Sequence, residues 1–340
     1  MSVAAFSGQR VFVTGGAGYI GSVCVEELLD AGCQVTVFDN LSEGHRAAVD
    51  ARAELILGDL LDTAALEKAL AGTLPDAVLH LAASALVGES LRAPEKYFRN
   101  NVVAGINLLD AMLRVGVKRL VFSSSCATYG LPAATPVNES ARQVPINPHG
   151  DSKLMFEQML RWYEQAHGII SVGLRFFNVA GASVLHGEEH RIETHLIPNV
   201  LRVALGQRDH VDVFGTDYDT PDGTCVRDYV HVLDVAAAHL AALTATISGF
   251  NNLGNGAGYS VGEVITCCRR ITGHAIPTIA RSRRPSDPAC LVADHKKIES
   301  VFGWQPRRPA LAEIIGSAWA WHLQRPYGYR DVSPNQSVVP

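Results

Sequence analysis

Thr14-Gly15-Gly16-Ala17-Gly18-Tyr19-Ile20-Gly21 is the stretch on which the reading of this chain turns. Before it, Arg10–Thr14 is short, apolar and strand-like. After it, Tyr19–Ala31 has helix length and apolar repeats near 3.6 residues. Glycines at 15, 18 and 21 let the backbone turn tightly and approach a pyrophosphate, which rests on the free N–H groups and positive end of the helix. Glycines alone also make ordinary turns. The strand before and the helix after are what point to a dinucleotide. Asp39 ends the next strand, 18 residues beyond Gly21. A carboxylate there accepts hydrogen bonds from the adenosine ribose and repels a 2′-phosphate, which favours NAD over NADP.

Working outward, strands are expected at Arg10–Thr14, Gln34–Asp39, Glu54–Leu57, Ala77–Ala82, Lys118–Ser124 and Ile170–Phe176. Helices are expected at Tyr19–Ala31, Thr63–Ala71, Tyr97–Val115 and Lys153–His167. Such alternation implies right-handed βαβ units and a doubly wound parallel sheet, the α/β Rossmann class. Beyond about Asn178 the chain is more irregular and richer in Gly, Pro and Asp. Helical stretches at Leu196–Leu205, Val232–Thr244, Ser260–Ile271 and Leu311–Gln324 interrupt it, and a loose tail follows. The expected division is a dinucleotide-binding domain over residues 1–177 and a smaller mixed α/β substrate domain over 178–340, with later segments free to return to the sheet.

Composition narrows the function classes. The 340 residues are 47% apolar with 29 basic and 34 acidic side chains, a net charge of −5 and no basic run. That argues against disorder and against a nucleic-acid surface. The longest apolar stretch, Val232 to Ala245, is broken by Asp234 and His239, so no membrane span is expected. The N-terminus lacks the layout of a secretory signal. Seven scattered cysteines show no C-x-x-C spacing and fit a reducing, cytoplasmic setting.

Further motifs carry a family resemblance. The glycine loop, Phe122-Ser-Ser-Ser125 at a strand end and Pro148-His-Gly-Asp-Ser-Lys153 opening a helix resemble an extended short-chain dehydrogenase/reductase. Leu174-Arg-Phe-Phe-Asn178, Glu193-Thr-His-Leu-Ile-Pro198, Asp222–Val232 and Arg283-Arg-Pro-Ser-Asp287 are similar to the UDP-glucose 4-epimerase family, from about residue 9 to 325. The resemblance implies an NAD-dependent isomerase that inverts C4 of a UDP-sugar through a transient 4-keto sugar, acting as a homodimer. Helices Tyr97–Val115 and Lys153–His167 match those that pair across the family's two-fold axis.

For the cofactor, the resemblance implies contacts from Gly15, Gly18, Tyr19, Ile20, Gly21, Asp39, Asn40, Asp59, Leu60, Leu81, Ala82, Ala83, Asn100, Ser123, Lys153 and Phe177. Asp59 reads equally as a loop cap. For the nucleotide sugar it implies Arg227 and Arg284 on the diphosphate and Asp287 on the uridine ribose. Asn178 would serve the phosphate–sugar region, Leu196 and Phe214 would enclose the uracil, and Ser125 and His195 also belong to the substrate site. Leu291 occupies the family's gate beside the sugar; being smaller than an aromatic, it leaves room for UDP-N-acetyl sugars as well as UDP-glucose and UDP-galactose.

Ser125 and Lys153 match the family's catalytic set, but its tyrosine is here His149. The i, i+4 spacing still puts His149 and Lys153 on one helix face. Imidazole is a base near neutral pH but is shorter than a phenol, and a neighbouring ammonium favours its neutral form. Two readings follow: an epimerase impaired by His149, or an epimerase-like protein with modified sugar chemistry. A helix-capping histidine is the bland third. A non-catalytic nucleotide-sugar-binding module is a further alternative. A 4,6-dehydratase is disfavoured because Cys126-Ala127 stands where that family needs an Asp-Glu pair. His186 and His190 have zinc-like spacing, but Gly187 argues against a helix there and the order is not H-E-x-x-H, so no metal is expected.

Overall fold

The computed structural model describes residues 6–285 and 287–329. The tail from residue 330, the first five residues and Ser286 of the Arg283–Asp287 motif lie outside the described residues. Strands β1 (Arg10–Thr14), β2 (Gln34–Asp39), β3 (Glu54–Leu57), β4 (Ala77–His80), β5 (Arg119–Ser125) and β6 (Ile170–Phe176) form a parallel sheet with Gly249–Leu253. The spatial order is Gly249–Leu253, β6, β5, β4, β1, β2, β3. Chain direction through the sheet therefore reverses between β1 and β4. A crevice at the carboxyl ends of those two strands is where such sheets bind ligands.

The sheet is covered on both faces, as continuous apolar strands such as Val11-Phe12-Val13 require. On one face Val11, Val13, Val35, Val37 and Leu79 pack with Val23 and Leu28 of α1 (Tyr19–Asp30) and with Val235 and Ala238 of the helix Val232–Ala242. On the other, Phe12, Phe38 and Phe122 meet Leu66, Leu108, Met112 and Phe156 from three further helices. A separate core joins the helices Leu196–Ala204, Val261–Thr272 and Leu311–Gln324 through Leu201, Val264 and Ile315. It supports three small sheets, among them Val226–Arg227 held between Tyr259–Ser260 and Cys290–Leu291.

Several element ends differ from expectation for local reasons. β4 stops at His80 rather than Ala82, because the amides of Leu81 and Ala82 both donate to the Thr14 carbonyl. That shared acceptor draws the 81–83 turn onto the glycine loop. The stretch Tyr97–Val115 is not one regular helix; a π-helical segment, Phe98–Val103, precedes the α-helix Ala104–Val115. The long helix starts at Pro148, not Lys153, with Asn147 accepting the Gly150 amide at 2.9 Å and proline at the first turn.

Candidate active site

The glycine loop divides its labour. Gly15 has φ +75°, and a Cβ on it would overlap the backbone of Leu81 and Ala82. A Cβ on Gly21 would overlap the Gly15 carbonyl. Both glycines are needed for strand and helix to approach each other. Gly18 differs: its Cβ would meet only the Gly15 oxygen, at 3.4 Å. It precedes α1, whose first turn has no acidic residue and whose start has no side-chain cap. The positive helix end is left to an external anion. Asp39 is buried beside it, and its carboxylate oxygens accept the amides of Ala17 at 3.0 Å and Leu41 at 2.8 Å. Each oxygen keeps a second lone pair for a ribose hydroxyl. These residues fit a dinucleotide.

Asp59 is occupied locally. Its carboxylate accepts from the Leu61 amide and from Asn40 Nδ2, so it and Asn40 stiffen the loop that also carries Leu60. Asn100 Nδ2 donates to Ser84 Oγ at 3.1 Å. Its neighbour Asn101 escaped the sequence reading and does more. Its side chain accepts the Ser84 amide and donates to the Ser84 carbonyl and to Ser152 Oγ. Asn101 therefore fixes the turn after β4 against the long helix. It sits in the π-helical segment, a feature frequent at functional sites.

The long helix brings His149 and Lys153 to the end of β5, both buried. Lys153 Nζ donates to the Ser123 carbonyl at 2.8 Å and lies 4.8 Å from the Phe122 ring centroid. Burial pushes its pKa down to about 7, with Glu157 pulling the other way. His149 Nδ1 is 3.2 Å from the Ser84 carbonyl and its ring stands edge-on to Tyr97. Burial, then the Lys153 charge, push His149 down to about 3. A carbonyl only accepts, so Nδ1 carries the proton of the neutral ring and Nε2 carries the lone pair. Ser125 caps the following 3₁₀ turn by accepting the Ala127 amide at 3.1 Å. A Cβ on Gly150 would overlap the Ala127 carbonyl, so glycine is what lets the helix start come down on that turn.

Behind this pair lies a buried network that motif reading did not find. Arg175 donates from Nε and a terminal nitrogen to Glu157 at 2.8 and 2.6 Å, and from its other terminal nitrogen to Tyr129. Ser124 Oγ donates to the same carboxylate at 2.6 Å. Two sequence signals pointed to it: an arginine inside the apolar strand Ile170–Phe176, and a glutamate four residues after Lys153.

The residues expected on the substrate side come close to the expected catalytic ones. Arg227 pairs with Asp287, and Leu291 lies opposite Arg227 in the small sheet. Leu291 and Phe177 are buried in one cluster with Tyr129, against which Cys126 packs directly after Ser125. Burial raises the Cys126 thiol to about 12, and the charge of Arg227 opposes that. Arg284 stacks on Phe214 at 4.2 Å. Asn178 begins a short strand whose first amide donates to the Asp228 carbonyl. Asp228 was also missed; its carboxylate accepts three amides, from Asn255, Gly256 and Ala293, and so fixes the strand that carries Arg227.

His195 precedes the helix that begins at Leu196. Its Nδ1 lies 3.0 Å from both Glu188 and Glu193, and His190 Nε2 lies 3.3 Å from Glu188. Burial opposes charge on His195, but the two carboxylates raise it to about 10. His186, the other zinc-like candidate, faces Tyr329 instead.

The profile of the NAD dependent epimerase/dehydratase family matches residues 11–254, and the chain belongs to that family. It is 47% identical over 327 residues to a UDP-glucose 4-epimerase of Halalkalibacterium halodurans, covering 94% of this chain and 98% of that one. Among solved structures it is similar to the UDP-glucose 4-epimerase of Brucella ovis in complex with NAD, with TM-score 0.89, 44% identity and coverage of 92% and 97%. It is also similar to that of Bifidobacterium longum in complex with NAD+ and UDP, with TM-score 0.91, 38% identity and coverage of 94% and 100%.

Proposed function

We propose that this protein is an NAD-dependent UDP-sugar 4-epimerase of the UDP-glucose/UDP-galactose type, slowed by His149. The observation that carries the reading is coverage: the likeness to UDP-glucose 4-epimerases spans both the glycine-loop crevice and the Arg227 region. The residues of the glycine-loop crevice would hold NAD, which when bound would supply reversible hydride exchange at C4 of the sugar. Residues 1–177 hold the dinucleotide and 178–340 the nucleotide sugar, with Gly249–Leu253 and Val232–Ala242 lying against the first part. Gly15, Gly18, Tyr19, Ile20, Gly21 and the 81–83 turn surround the pyrophosphate, and Asp39 takes the adenosine ribose. Lys153, fixed by Ser123, takes the nicotinamide ribose.

Ser125 orients the C4 hydroxyl and His149 Nε2 is the proton acceptor. Its lone pair is free, but a base with a pKa near 3 holds a proton poorly, which is the physical ground for slow turnover. Arg227 and Arg284 bind the diphosphate, Asp287 the uridine ribose, and Leu196 and Phe214 the uracil. Leu291 leaves space for an N-acetyl group. Incubation with UDP-glucose, UDP-galactose and their N-acetyl forms, followed by separation of 4-epimers, tests the reading. Epimers support it; a dehydrated keto sugar, or unchanged substrate from both this protein and its His149→Tyr variant, overturns it.

No helix of the described residues is long and apolar enough to cross a membrane, and a cytoplasmic site of action is part of the proposal. So is a homodimer: Met155 and Trp162, seven residues apart on the long helix, are exposed, Trp162 by 68%. Light scattering should give twice the chain mass, and Trp162→Lys should reduce it to one; a monomeric parent protein rules the dimer out.

A further inference from the structure

The segment 188–195 gathers four side chains, of which only His195 was expected at the sugar site, and its ring is turned to Glu188 and Glu193 instead. Glu188, His190, Glu193 and His195 each offer one ligand atom, and these atoms all lie within 4.8 Å of one another. The closest approaches are 3.0 Å from His195 Nδ1 to Glu188 and to Glu193, and 3.3 Å from His190 Nε2 to Glu188. Four N and O ligands at ~2.0–2.1 Å around a tetrahedral ion stand about 3.3 Å from their neighbours. Little movement separates the two arrangements.

A second observation concerns Glu193. Its side chain is wholly buried, and Oε2 has no hydrogen-bond partner while Oε1 faces His195. A buried carboxylate oxygen without a donor is costly, and an ion within the cluster would satisfy it. Charge counts the same way: a divalent cation balances the two buried carboxylates of Glu188 and Glu193, so no charge of the cluster is left uncompensated.

We propose that Glu188, His190, Glu193 and His195 form a structural site for one divalent transition-metal ion, with zinc the best match to two imidazoles and two carboxylates. Four protein ligands fill a tetrahedral shell and leave no open position for catalysis. The ion fastens the 188–195 segment ahead of Leu196. It also fixes His190, whose ring stands edge-on, at 6.3 Å, to Tyr19 of the glycine loop. The site thus ties the nucleotide-sugar side of the crevice to its dinucleotide side, and it is independent of the reaction proposed above.

The test uses the NAD-loaded protein, treated with chelator and dialysed. Calorimetric titration with zinc chloride should show one ion per chain and a higher Tm on saturation. His190→Asn and Glu193→Gln should each weaken zinc binding by about tenfold or more, while the exposed His274→Asn should not. Should either variant misfold by circular dichroism, X-ray absorption of the unaltered zinc-loaded protein decides, with two imidazoles and oxygen ligands at ~2.0–2.2 Å expected. Absence of saturable uptake of zinc, cobalt, nickel or manganese overturns the proposal. So does uptake that both folded variants leave unchanged, or a spectrum without imidazole ligands.

Discussion

His149 combines two constraints that a phenol would not face. The Ser84 carbonyl commits Nδ1 to donation, and burial beside Lys153 keeps the ring neutral down to about pH 3. It is a well-oriented acceptor but a weak base. His149→Tyr should therefore raise kcat on UDP-galactose by about tenfold or more, since a positioned base contributes ~10²–10⁴-fold. Stopped assays from pH 5 to 9 check this. For the unaltered protein they should show one inflection, from Lys153 at about 7, and none from the imidazole, which stays neutral over that range. A second inflection near 6.5, or a tyrosine variant no faster than its parent, would mean that the site is adapted to imidazole. Asp39 makes an equally local prediction. In the proposed ribose site its carboxylate would face a 2′-phosphate, and like-charge juxtaposition costs several kcal/mol. Asp39→Ala should narrow the preference for NAD over NADP by about tenfold or more in a fluorescence titration; an unchanged ratio removes Asp39 from the ribose site.

The long helix Pro148–His167 links these residues to the sheet. Along one stripe it carries His149, Lys153 and Glu157, spaced by four, so the proposed catalytic pair and its buried anchor share a face. Glu157 and Arg175 have side-chain exposures of 0% and 2% and are bound through both carboxylate oxygens. Removing one partner leaves the other charge buried and unpaired, which costs about 3–5 kcal/mol. Glu157→Ala should lower stability by that amount in urea unfolding. Combining it with Arg175→Met should restore much of the loss, because no charge is then stranded. A double variant as unstable as the single one would mean that Glu157 acts through packing alone.

Across the whole molecule, acid is the predicted weakness. Burial holds His80 and His149 at about 3, and His186, His231, His239 and His322 at about 4. The unfolded chain takes up protons at these positions near pH 6.5. The folded chain refuses them until much lower pH. Their contribution is thus present above about pH 6.5 and is lost as pH falls toward 4. His195, raised to about 10, has the opposite sign: its contribution is complete below its unfolded pKa and is lost only as pH rises through 10, so it does not offset the acid loss. Tm should be level near pH 7 to 8 and fall steeply between about 6 and 4. A flat Tm over that interval would show that these rings titrate as exposed histidines do.

Much of this protein was legible in order along the chain. A glycine loop between strand and helix, an acid at the next strand end and the alternation of elements to Phe176 specify a parallel sheet with a dinucleotide crevice, because each depends on neighbours in sequence. The strands Arg10–Thr14, Gln34–Asp39 and Glu54–Leu57 and the helix Leu311–Gln324 have the bounds that their periodicity implies. Other features depend on residues far apart in the chain. Asn101 matters because Ser84 and Ser152 come to it, and Glu157 because Arg175 does. The return of Gly249–Leu253 to the sheet edge is set by pairing with β6, not by any local signal in that segment. The fate of His149 was decided the same way. Sequence places an imidazole four residues before Lys153, but only folding supplies the burial and the Ser84 carbonyl that fix its tautomer and remove its charge.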